Sequence, residues 1–595
     1  MIPIAKAFFV LFGLYFLALV AMNRHARSAQ SLRTLPNSDV LFSGFNMEFY
    51  NNISTKDVCP MFHNPSLAYK VLSVLDRFQP VNDTYFYTRK ARKNRYTQPY
   101  YGLKSDDFYC KNHRRYFVNH PESIFETINM VLTAPSKSLF RKKIAQPIAN
   151  DIHPKVGRSM PSSHINRNLY AIKTYANYFF TKTPMFEHKH IGKHFSCLTQ
   201  VSNHIPGHNS LDRKDFVAEN AMKYGERFKD KPQCFSYDKF FPKTWLLYNK
   251  EDCEAFFSIL NSTEYIKLKE ERNIVFIRKI ATHSHRGEGV QPVHAQEEES
   301  LRKTYENGNL CGNITKNFIV QNYVHNPLLL NGHKFDFRMY MLIASTNPLM
   351  AYYHDGFLRV TLAKYDASSS EKKVLLTNLA LNKQIYDEVK GGKLYEGMDE
   401  EALKIAQQWS FERLKDYLLE KGIIKDQNWL DNYLRPEFKK AMVHLLRLSS
   451  FAFLKRSSIY ELYGVDFMLD ENLNLWFIEA NSSPAIEGYS EPMEKFIVKM
   501  AQDHFEVIMG LLRSRVKRII QYVNHLTDTG KFKQAKKGQV IANDIETKVK
   551  KFQNITKNYF EKEYEPSPTN GFQKIIDENY SGVEAYQGLI SSECL

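Results

Sequence analysis

The chain has 595 residues with 43% hydrophobic content, so it is long enough for several domains with large cores. Its formal net charge of +17 indicates an acidic partner, which nucleic acid, an acidic protein tail or a membrane surface would each satisfy. Aromatic residues reach 14%, but the sequence has no zinc finger, basic zipper or RNA-binding motif, so nucleic acid is the weakest of the three.

The first element is an uninterrupted apolar run at residues 7–22. A helix over this run would be about 24 Å long, against a hydrocarbon core of about 30 Å, so it fits a signal peptide or a membrane anchor. Arg24, Arg27 and Arg33 follow with no acidic residue before Asp39, a bias that favours a cytoplasmic C-terminal side. We therefore predict a single-pass membrane protein whose core faces the cytoplasm. Cleavage after the run would instead send the core into the secretory lumen.

The next region, residues 30–195, is basic and aromatic, has no periodic repeat, and is assigned only as an N-terminal elaboration. Its basic run at residues 88–95 forms either a solvated loop or a docking patch. The seven cysteines do not decide the compartment, because their number is odd and no CxxC pair occurs.

A strand-like run at residues 274–280 carries Lys279 near its end and leads into a loop with Arg286, Gly287 and Gly289. Glycines allow a backbone to close over phosphates, and a lysine at a strand end can reach them. By itself this GxG loop is weak evidence for a nucleotide site.

Two further strand-like runs span residues 317–345, around an NPLLLNG turn. In the second run Lys334, Asp336 and Arg338 alternate with apolar residues and share one face. The run after it contains Arg359. A salt-bridged solvent face is the alternative interpretation. Converging basic residues beside a carboxylate site are, however, what phosphoryl transfer requires.

Residues 464–484 predict a two-strand hairpin that turns at Asn472 and Leu473. This register places Asp466 opposite Glu479, while Glu479 and Asn481 share a face. Two carboxylates and an amide oxygen without a soft ligand suit Mg²⁺. An ordinary hairpin with solvated acids is the alternative. We expect Asp466→Ala, Glu479→Gln and Asn481→Ala each to abolish turnover and to leave folding largely intact.

Beyond the hairpin, apolar residues at spacings of three and four predict a long helix over residues 496–526. Its basic cluster of Arg513, Arg515 and Lys517 is either the solvent face of a core helix or a grip on an acidic substrate. In the second case, charge reversal of the cluster should raise the Michaelis constant for that acidic substrate. The tail from Tyr564 onward is predicted to be loose.

These segments, in this order, resemble the tubulin tyrosine ligase-like family, which uses an ATP-grasp fold. The resemblance runs from about residue 197 to 512. It rests on the hairpin, the Lys279 loop, VSNHIPGHNSLDRKD (201–215), FFPKTWLL (240–247), VQNYVHNPLLLNGHKFDFR (320–338), HDGFLRV (354–360) and LLTNLALNK (375–383). It implies a mixed α/β (α+β) fold with an ATP-grasp-like ligase core at residues 196–512. Around that core we expect an N-terminal membrane segment with its flank (1–29), the elaboration (30–195), and a basic helical extension with a loose tail (513–595).

The resemblance also implies ATP- and Mg²⁺-dependent joining of an amino acid to a protein carboxylate on tubulin tails, through an acyl phosphate, with glutamate the commonest expectation. It further implies association with microtubules or cilia. Carried over by position, it implies catalytic roles for Lys334, Arg338 and Arg359 and Mg²⁺ ligation by Asp466, Glu479 and Asn481. The nucleotide would be held by Lys279, Arg286, Gly287, Gly289, Gln321, Tyr323, Asp336, Thr377 and Asn378.

Some positions depart from the family pattern. Asn322 stands where a lysine that faces the adenine is usual, Leu376 where a histidine is usual, and Ile280 where a proline is usual. These departures leave open a second reading, a membrane-tethered, catalytically impaired member that serves as a microtubule or acidic-protein binding module. The intact metal triad and Arg338 favour the enzyme.

Overall fold

A computed structural model describes residues 39–46, 61–77, 106–125, 127–134, 176–180, 197–231, 233–234, 240–281, 289–312, 318–377, 408–482, 484, 486, 490–529 and 564–595. The chain divides into two compact units. The first comprises residues 1–77, 102–202 and 515–545, and the second comprises 78–101, 203–514 and 546–595. The sequence predicts domain borders after residues 195 and 512. The units instead divide after Ser202 and Ser514, and residues 546–595 belong to the second unit.

The first unit contains a small sheet and three helices before residue 202. Strand β1 (Asp39–Asn46) pairs antiparallel with β2 (Thr127–Ala134), and β2, β3 (Tyr178–Phe180) and β4 (Val201–Asn203) pair in parallel. The helices are α1 (Pro65–Arg77), α2 (Asp106–Asn119) and α3 (Glu122–Phe125). Leu67, Val71 and Leu75 recur every fourth position of α1 and are buried, which is the pattern of an amphipathic helix.

The second unit holds two antiparallel sheets and most of the helices. Its strands are β5 (Thr244–Leu246), β6 (Phe276–Ile280), β7 (Val290–Pro292), β8 (Phe318–Asn322), β9 (Leu329–Leu330), β10 (His333–Thr346), β11 (Leu349–Lys364), β12 (Gln408–Trp409), β13 (Ile459–Leu469), β14 (Leu475–Asn481) and β15 (Gln573–Asp577). Its helices are α4 (Asn209–Asp212), α5 (Lys214–Arg227), α6 (Lys250–Leu260), α7 (Thr263–Glu271), α8 (Ala295–Glu306), α9 (Lys372–Leu375), α10 (Phe411–Glu420), α11 (Arg435–Ser449) and α12 (Glu491–Asp528), the last of which continues into the first unit. Single helical turns lie at Leu430–Leu434, Ser450–Ala452, Gly582–Tyr586 and Ser592–Cys594. The predicted mixed α/β class is confirmed.

The main sheet of the second unit is built around β10, which lies between β11 and β13. Strand β14 pairs with β13, β9 pairs with β10, and both β12 and β15 pair with β11. Phe337 contacts Phe411 of α10 and Phe438 of α11, with ring centroids 5.6 and 5.1 Å apart. Tyr340, on the opposite face of β10, lies 6.2 Å from Phe496 of α12. Because helices cover both faces, β10 is buried along almost its whole length.

The second sheet, in the order β5, β8, β6, β7, carries its own core. Trp245, Phe256, Phe276 and Val320 are buried together with apolar residues of α6, α7 and α8. This core packs against the paired strands β6 and β8, which carry the predicted nucleotide residues Lys279 and Gln321.

The tail predicted to be loose is ordered, so that prediction is wrong. Strand β15 pairs antiparallel with residues 350–353 of β11, and Ile575 and Ile576 are fully buried. The backbone amide of Ser567 donates to Glu506 Oε1 at 2.8 Å. The tail is mostly polar, so its few apolar residues gave no clear sign of order. Their burial requires β11, a strand distant in sequence.

The predicted single-pass membrane placement is contradicted. Within the part of the chain that the structure describes, no helix combines the length and the apolar character needed to cross a bilayer. Helix α12 has 38 residues, but charged side chains recur along it. The apolar run at residues 7–22 and the basic run at 88–95 lie outside the described residues.

Helix α12 confirms the predicted long helix, but not the role suggested for all of its basic residues. Arg515 is only 1% exposed, and its Nη1 donates to the backbone oxygen of Leu198 at 3.1 Å, both within the first unit. The prediction that Arg515 grips an acidic acceptor is therefore wrong. Arg515 instead joins two segments of the first unit through its hydrogen bond to Leu198.

We expect Arg515→Glu to lower the free energy of unfolding by about 3 kcal/mol or more, because it buries a carboxylate beside a backbone carbonyl. Lys517→Glu, at a half-buried position of the same helix, should cost less than about 1 kcal/mol. Urea unfolding of both variants measures the difference. Equal stability of the two would show that burial of Arg515 contributes nothing.

Candidate active site

The hairpin that carries the proposed metal ligands forms as predicted. In the β13–β14 register Asp466 lies opposite Glu479, and Gly464 lies opposite Asn481. Asp470 closes the turn, since its Oδ1 accepts hydrogen bonds from the backbone amides of Asn472 and Asn474 at 2.9 and 2.8 Å. The predicted register is therefore confirmed.

Four charged side chains meet at the centre of the main sheet. The strand register pairs Asp336 with Arg359 and Arg338 with Asp466. Arg338 binds Asp466 through two hydrogen bonds of 2.5 and 3.0 Å. Arg359 donates from Nε to Asp336 at 2.7 Å and from Nη2 to Asp466 at 2.9 Å. This cluster joins three strands into one polar network.

The cluster is almost shielded from solvent, since the side chain of Arg338 is 11% exposed and those of Asp336 and Asp466 are 3% exposed. Burial raises the pKa of Asp336, and the charge of Arg359 opposes that rise. Thr377 Oγ1 also donates to Asp336, at 2.8 Å. Lys334 and Asp336 are both buried, so the solvent-face interpretation of this strand is excluded.

Two predicted lysines are buried near this network. Lys279 Nζ donates to Gln321 Oε1 at 2.6 Å, and Lys334 Nζ donates to the hydroxyl of Tyr323 at 2.8 Å. Burial lowers the pKa of Lys279 to about 8, and the charge of Lys214 adds to that effect. Burial likewise lowers the pKa of Lys334 to about 7. Both ammonium groups are therefore poorly solvated and suited to bind an anion.

Sequence reasoning missed Lys214, the first residue of α5. Its Nζ lies 3.0 Å from Glu479 Oε2, and Asn481 Nδ2 donates to Glu479 Oε1 at 3.2 Å. Burial would raise the pKa of Glu479, but the charge and hydrogen bond of Lys214 lower it to about 2, so the carboxylate stays ionised. In the sequence, Lys214 is marked only by its position in the VSNHIPGHNSLDRKD segment, and the resemblance implied no role for it.

Lys214, Lys279, Gln321 and Glu479 line one small cleft. Asp212 also lines it, and its Oδ2 accepts from His208 Nδ1 at 2.6 Å and from Ser482 Oγ at 2.7 Å. The cleft thus places two ammonium groups beside an ionised carboxylate.

The oxygen donors of the predicted metal site have the chemistry that Mg²⁺ prefers. Asp466, Glu479 and Asn481 offer hard oxygen atoms on neighbouring strands, and no soft ligand accompanies them. Among the described residues, no group of three or more His, Cys, Asp and Glu is placed to hold a metal. Two carboxylates and one amide nevertheless fit Mg²⁺, which commonly takes one or two protein carboxylates and fills its remaining positions with water and phosphate oxygens.

The structure describes only some of the remaining predicted nucleotide residues. The backbone oxygen of Gly289 accepts from the amide of Ile280 at 2.8 Å, which closes the end of the glycine loop. Arg286, Gly287 and Asn378 lie outside the described residues. Of the departures, Asn322 is exposed at the end of β8, whereas Leu376 is buried against Ile274, Ile277 and Tyr323.

The mixed α/β core thus carries a small cleft with two lysines and two carboxylates, and a separate buried cluster of two arginines and two aspartates. The sequence model of the tubulin-tyrosine ligase family matches residues 193–516, more than half of the chain. The chain belongs to the tubulin-tyrosine ligase family, and the predicted resemblance is confirmed.

Several curated relatives are similar to the chain over this core. Protein polyglycylase TTLL10 of Macaca fascicularis is 30% identical over 44% of this chain and 40% of its own length. Inactive polyglycylase TTLL10 of Homo sapiens is 28% identical over 47% of this chain and 40% of its own length. Tubulin monoglutamylase TTLL4 of Mus musculus is 30% identical over 49% of this chain and 22% of its own length. The matched segment thus spans less than half of each of these relatives.

Proposed function

We propose that the chain is an ATP- and Mg²⁺-dependent ligase that joins an amino acid to a protein carboxylate. The observation that carries this proposal is the cleft in which Lys214 and Lys279 flank the ionised Glu479. Phosphoryl transfer depends mainly on positioning and charge neutralisation, and buried ammonium groups supply both. Membership of the family adds support.

The proposed reaction needs no covalent nucleophile from the protein. The acceptor carboxylate oxygen attacks the γ-phosphorus of ATP, ADP leaves, and an acyl phosphate forms. The amine of the incoming amino acid then attacks the acyl carbon, phosphate leaves, and the amine loses a proton. Bound Mg²⁺, held by Asp466, Glu479 and Asn481, would offset phosphate charge.

The arginines divide into two roles in this proposal. Arg338 donates two hydrogen bonds to Asp466, one of the proposed metal ligands, and in this proposal it stabilises the tetrahedral anion of the second step. Arg359 is 9% exposed and holds both Asp336 and Asp466. We therefore assign Arg359 to positioning those carboxylates, in place of the catalytic role expected from the sequence.

The proposed acceptor is an acidic protein tail, and glutamate is the proposed amino acid. The net charge of +17 suits an acidic acceptor. The names of several relatives give tubulin as the modified protein, and two of them are a tubulin monoglutamylase and a probable alpha-tubulin polyglutamylase. Mass spectrometry of purified tubulin tails, after incubation with ATP, Mg²⁺ and either glutamate or glycine, tests both parts. Glycine incorporation would overturn the choice of glutamate.

A second candidate function is a binding module that keeps the fold without turnover. Asn322 and Leu376 favour it, because both replace residues that the family commonly places near the nucleotide. A relative named inactive polyglycylase is consistent with such loss. Protein that binds an acidic tail but neither binds nor consumes ATP with Mg²⁺ would establish this alternative.

ATP binding is expected to weaken with rising pH. The pKa of Lys279 is lowered to about 8, so its ammonium form predominates at pH 7 and is mostly lost at pH 9. Because phosphate prefers the charged lysine, affinity should fall about tenfold over this interval. Equilibrium binding of ATP with Mg²⁺ at pH 7, 8 and 9 measures the change.

Lys279→Met should bind ATP weakly and remove most of this pH dependence. Lys243→Met changes an exposed lysine just before β5 of the same sheet and serves as the matched control, with binding close to that of the parent. An unchanged pH dependence in Lys279→Met would show that another group titrates.

A further inference from the structure

Six of the seven cysteines are joined in three disulfides: Cys110–Cys197, Cys234–Cys594 and Cys253–Cys311. The paired Cα atoms lie 5.6, 5.4 and 5.1 Å apart, within the range that a disulfide spans without backbone movement. The remaining cysteine, Cys59, lies outside the described residues. Sequence spacing gave no sign of this pairing, because the partners are 58 to 360 residues apart.

The Cys253–Cys311 bridge lies in the core of the second sheet. Cys253 of α6 is fully buried in the cluster that contains Trp245, and Cys311 lies in the loop that precedes β8. The bridge therefore links α6 to the loop before β8, the strand that carries Gln321. It supports the layer that presents Lys279 to the cleft.

The Cys234–Cys594 bridge fixes the ordered tail to the second unit. Both cysteines are buried, at 2% and 3% exposure. Lys231 Nζ donates to the backbone oxygen of Glu593 at 2.7 Å, and Arg447 donates to the backbone oxygen of Cys594. These contacts hold the two cysteines in position, so the bridge forms part of a packed interface within the unit.

The Cys110–Cys197 bridge lies in the first unit. Its cysteines are 4% and 1% exposed, and the amide of Cys197 donates to Gln200 Oε1 at 3.1 Å. Buried bridges therefore occur in both units. Regulatory thiol pairs are normally exposed and reactive, whereas buried bridges of this kind are structural.

We propose that the chain matures in an oxidising compartment and that its acceptor is a protein of that compartment; the acceptor part rests on the proposed ligase function. Structural disulfides persist in oxidising surroundings and are rare in the reducing cytosol. Each bridge forms by thiol–disulfide exchange. The two cysteine thiols together lose two electrons and two protons, and the disulfide of an oxidant accepts them and becomes a dithiol. In this proposal tubulin serves as a test acceptor with an acidic tail rather than as the natural one.

The first experiment maps the bridges in the full chain isolated from the cells that make it. Lysis in N-ethylmaleimide traps free thiols, and mass spectrometry of a non-reduced digest then identifies linked peptides. We expect the three pairs named above. Alkylation of all six cysteines would overturn the proposal, whatever the enzymatic activity of the sample.

A second measurement tests whether a bridge supports the fold. The double variant Cys253→Ser, Cys311→Ser removes both partners and should lower the melting temperature by about 5 °C. Treating the parent with a reductant should give a loss at least as large, and Cys59→Ser should leave the melting temperature unchanged. If the double variant melts like the parent, that bridge has no structural role and the proposal loses its support in the second sheet.

The acceptor part is tested with radiolabelled glutamate, ATP and Mg²⁺. Extracts of disulfide-forming organelles and of cytosol from the same cells are offered in parallel to the disulfide-intact chain. We expect labelled protein in the organelle extract. Label only in the cytosolic extract would overturn the acceptor assignment, and label in neither would overturn the ligase function while the disulfide map stands independently.

Discussion

Glu479→Gln is expected to lower acceptor-dependent ATP consumption by at least about 100-fold while the protein remains folded. Glutamine keeps the size of the side chain and can still accept the hydrogen bond from Asn481, but it removes the charge that faces Lys214 and would hold Mg²⁺. Loss of a metal ligand removes several kcal/mol of charge stabilisation in the transition state. Phosphate release with tubulin and glutamate, alongside a thermal melt, measures both quantities.

Glu471→Gln is the matched control, because Glu471 lies at the exposed turn of the same hairpin and accepts a hydrogen bond from Asn326. Its turnover should equal that of the parent. Mg²⁺ titration of ATP binding provides a readout that does not depend on the acceptor, and Glu479→Gln should flatten it. Normal turnover in a folded Glu479→Gln protein would remove Glu479 from the metal site.

Asp466→Asn is expected to destabilise the second unit by about 3 kcal/mol as well as to abolish turnover. Asp466 accepts hydrogen bonds from both Arg338 and Arg359 while only 3% exposed, so its neutralisation leaves excess positive charge in the buried cluster. Breaking a buried ion pair from one side typically costs 3 to 5 kcal/mol. This revises the expectation that all three hairpin substitutions leave folding intact.

Asp431→Asn offers a control with the same chemistry at the surface. Asp431 is 71% exposed and pairs with Arg435 one helical turn away, an interaction worth less than about 1 kcal/mol. Urea unfolding followed by tryptophan fluorescence would compare the two variants with the parent. If they lost equal stability, the charged cluster would contribute no more to the fold than a surface pair.

The parts of the site that could be predicted from the sequence are those with local periodicity. The hairpin register follows from strand alternation around a turn rich in Asp and Asn, and it placed Asp466 opposite Glu479 correctly. The spacing of two in β10 likewise placed Asp336 and Arg338 on one face. What alternation could not give was burial, since the residues that cover this face come from distant segments.

The contacts that were missed are the long-range ones. Lys214 is far from Glu479 in sequence and lies on a helix whose pattern resembles any amphipathic surface helix. Arg515 sits among half-buried basic residues and differs from them only in its tertiary surroundings. The disulfide partners and the pairing of β15 are likewise decided by the folded chain, because single-sequence patterns carry no information on which distant segments meet.

The pairing of β15 and β12 with β11 also limits how an extended peptide can be recognised. Unpaired strand edges are common docking places, where a peptide adds to the sheet through its own backbone. Here residues 350–353 and 358–359 of β11 already have neighbouring strands from the chain itself. An incoming tail therefore cannot extend the sheet along those stretches. If the proposed acceptor tail binds there, side chains rather than backbone pairing would select it, so recognition would depend on the composition of the tail more than on its ability to form a strand.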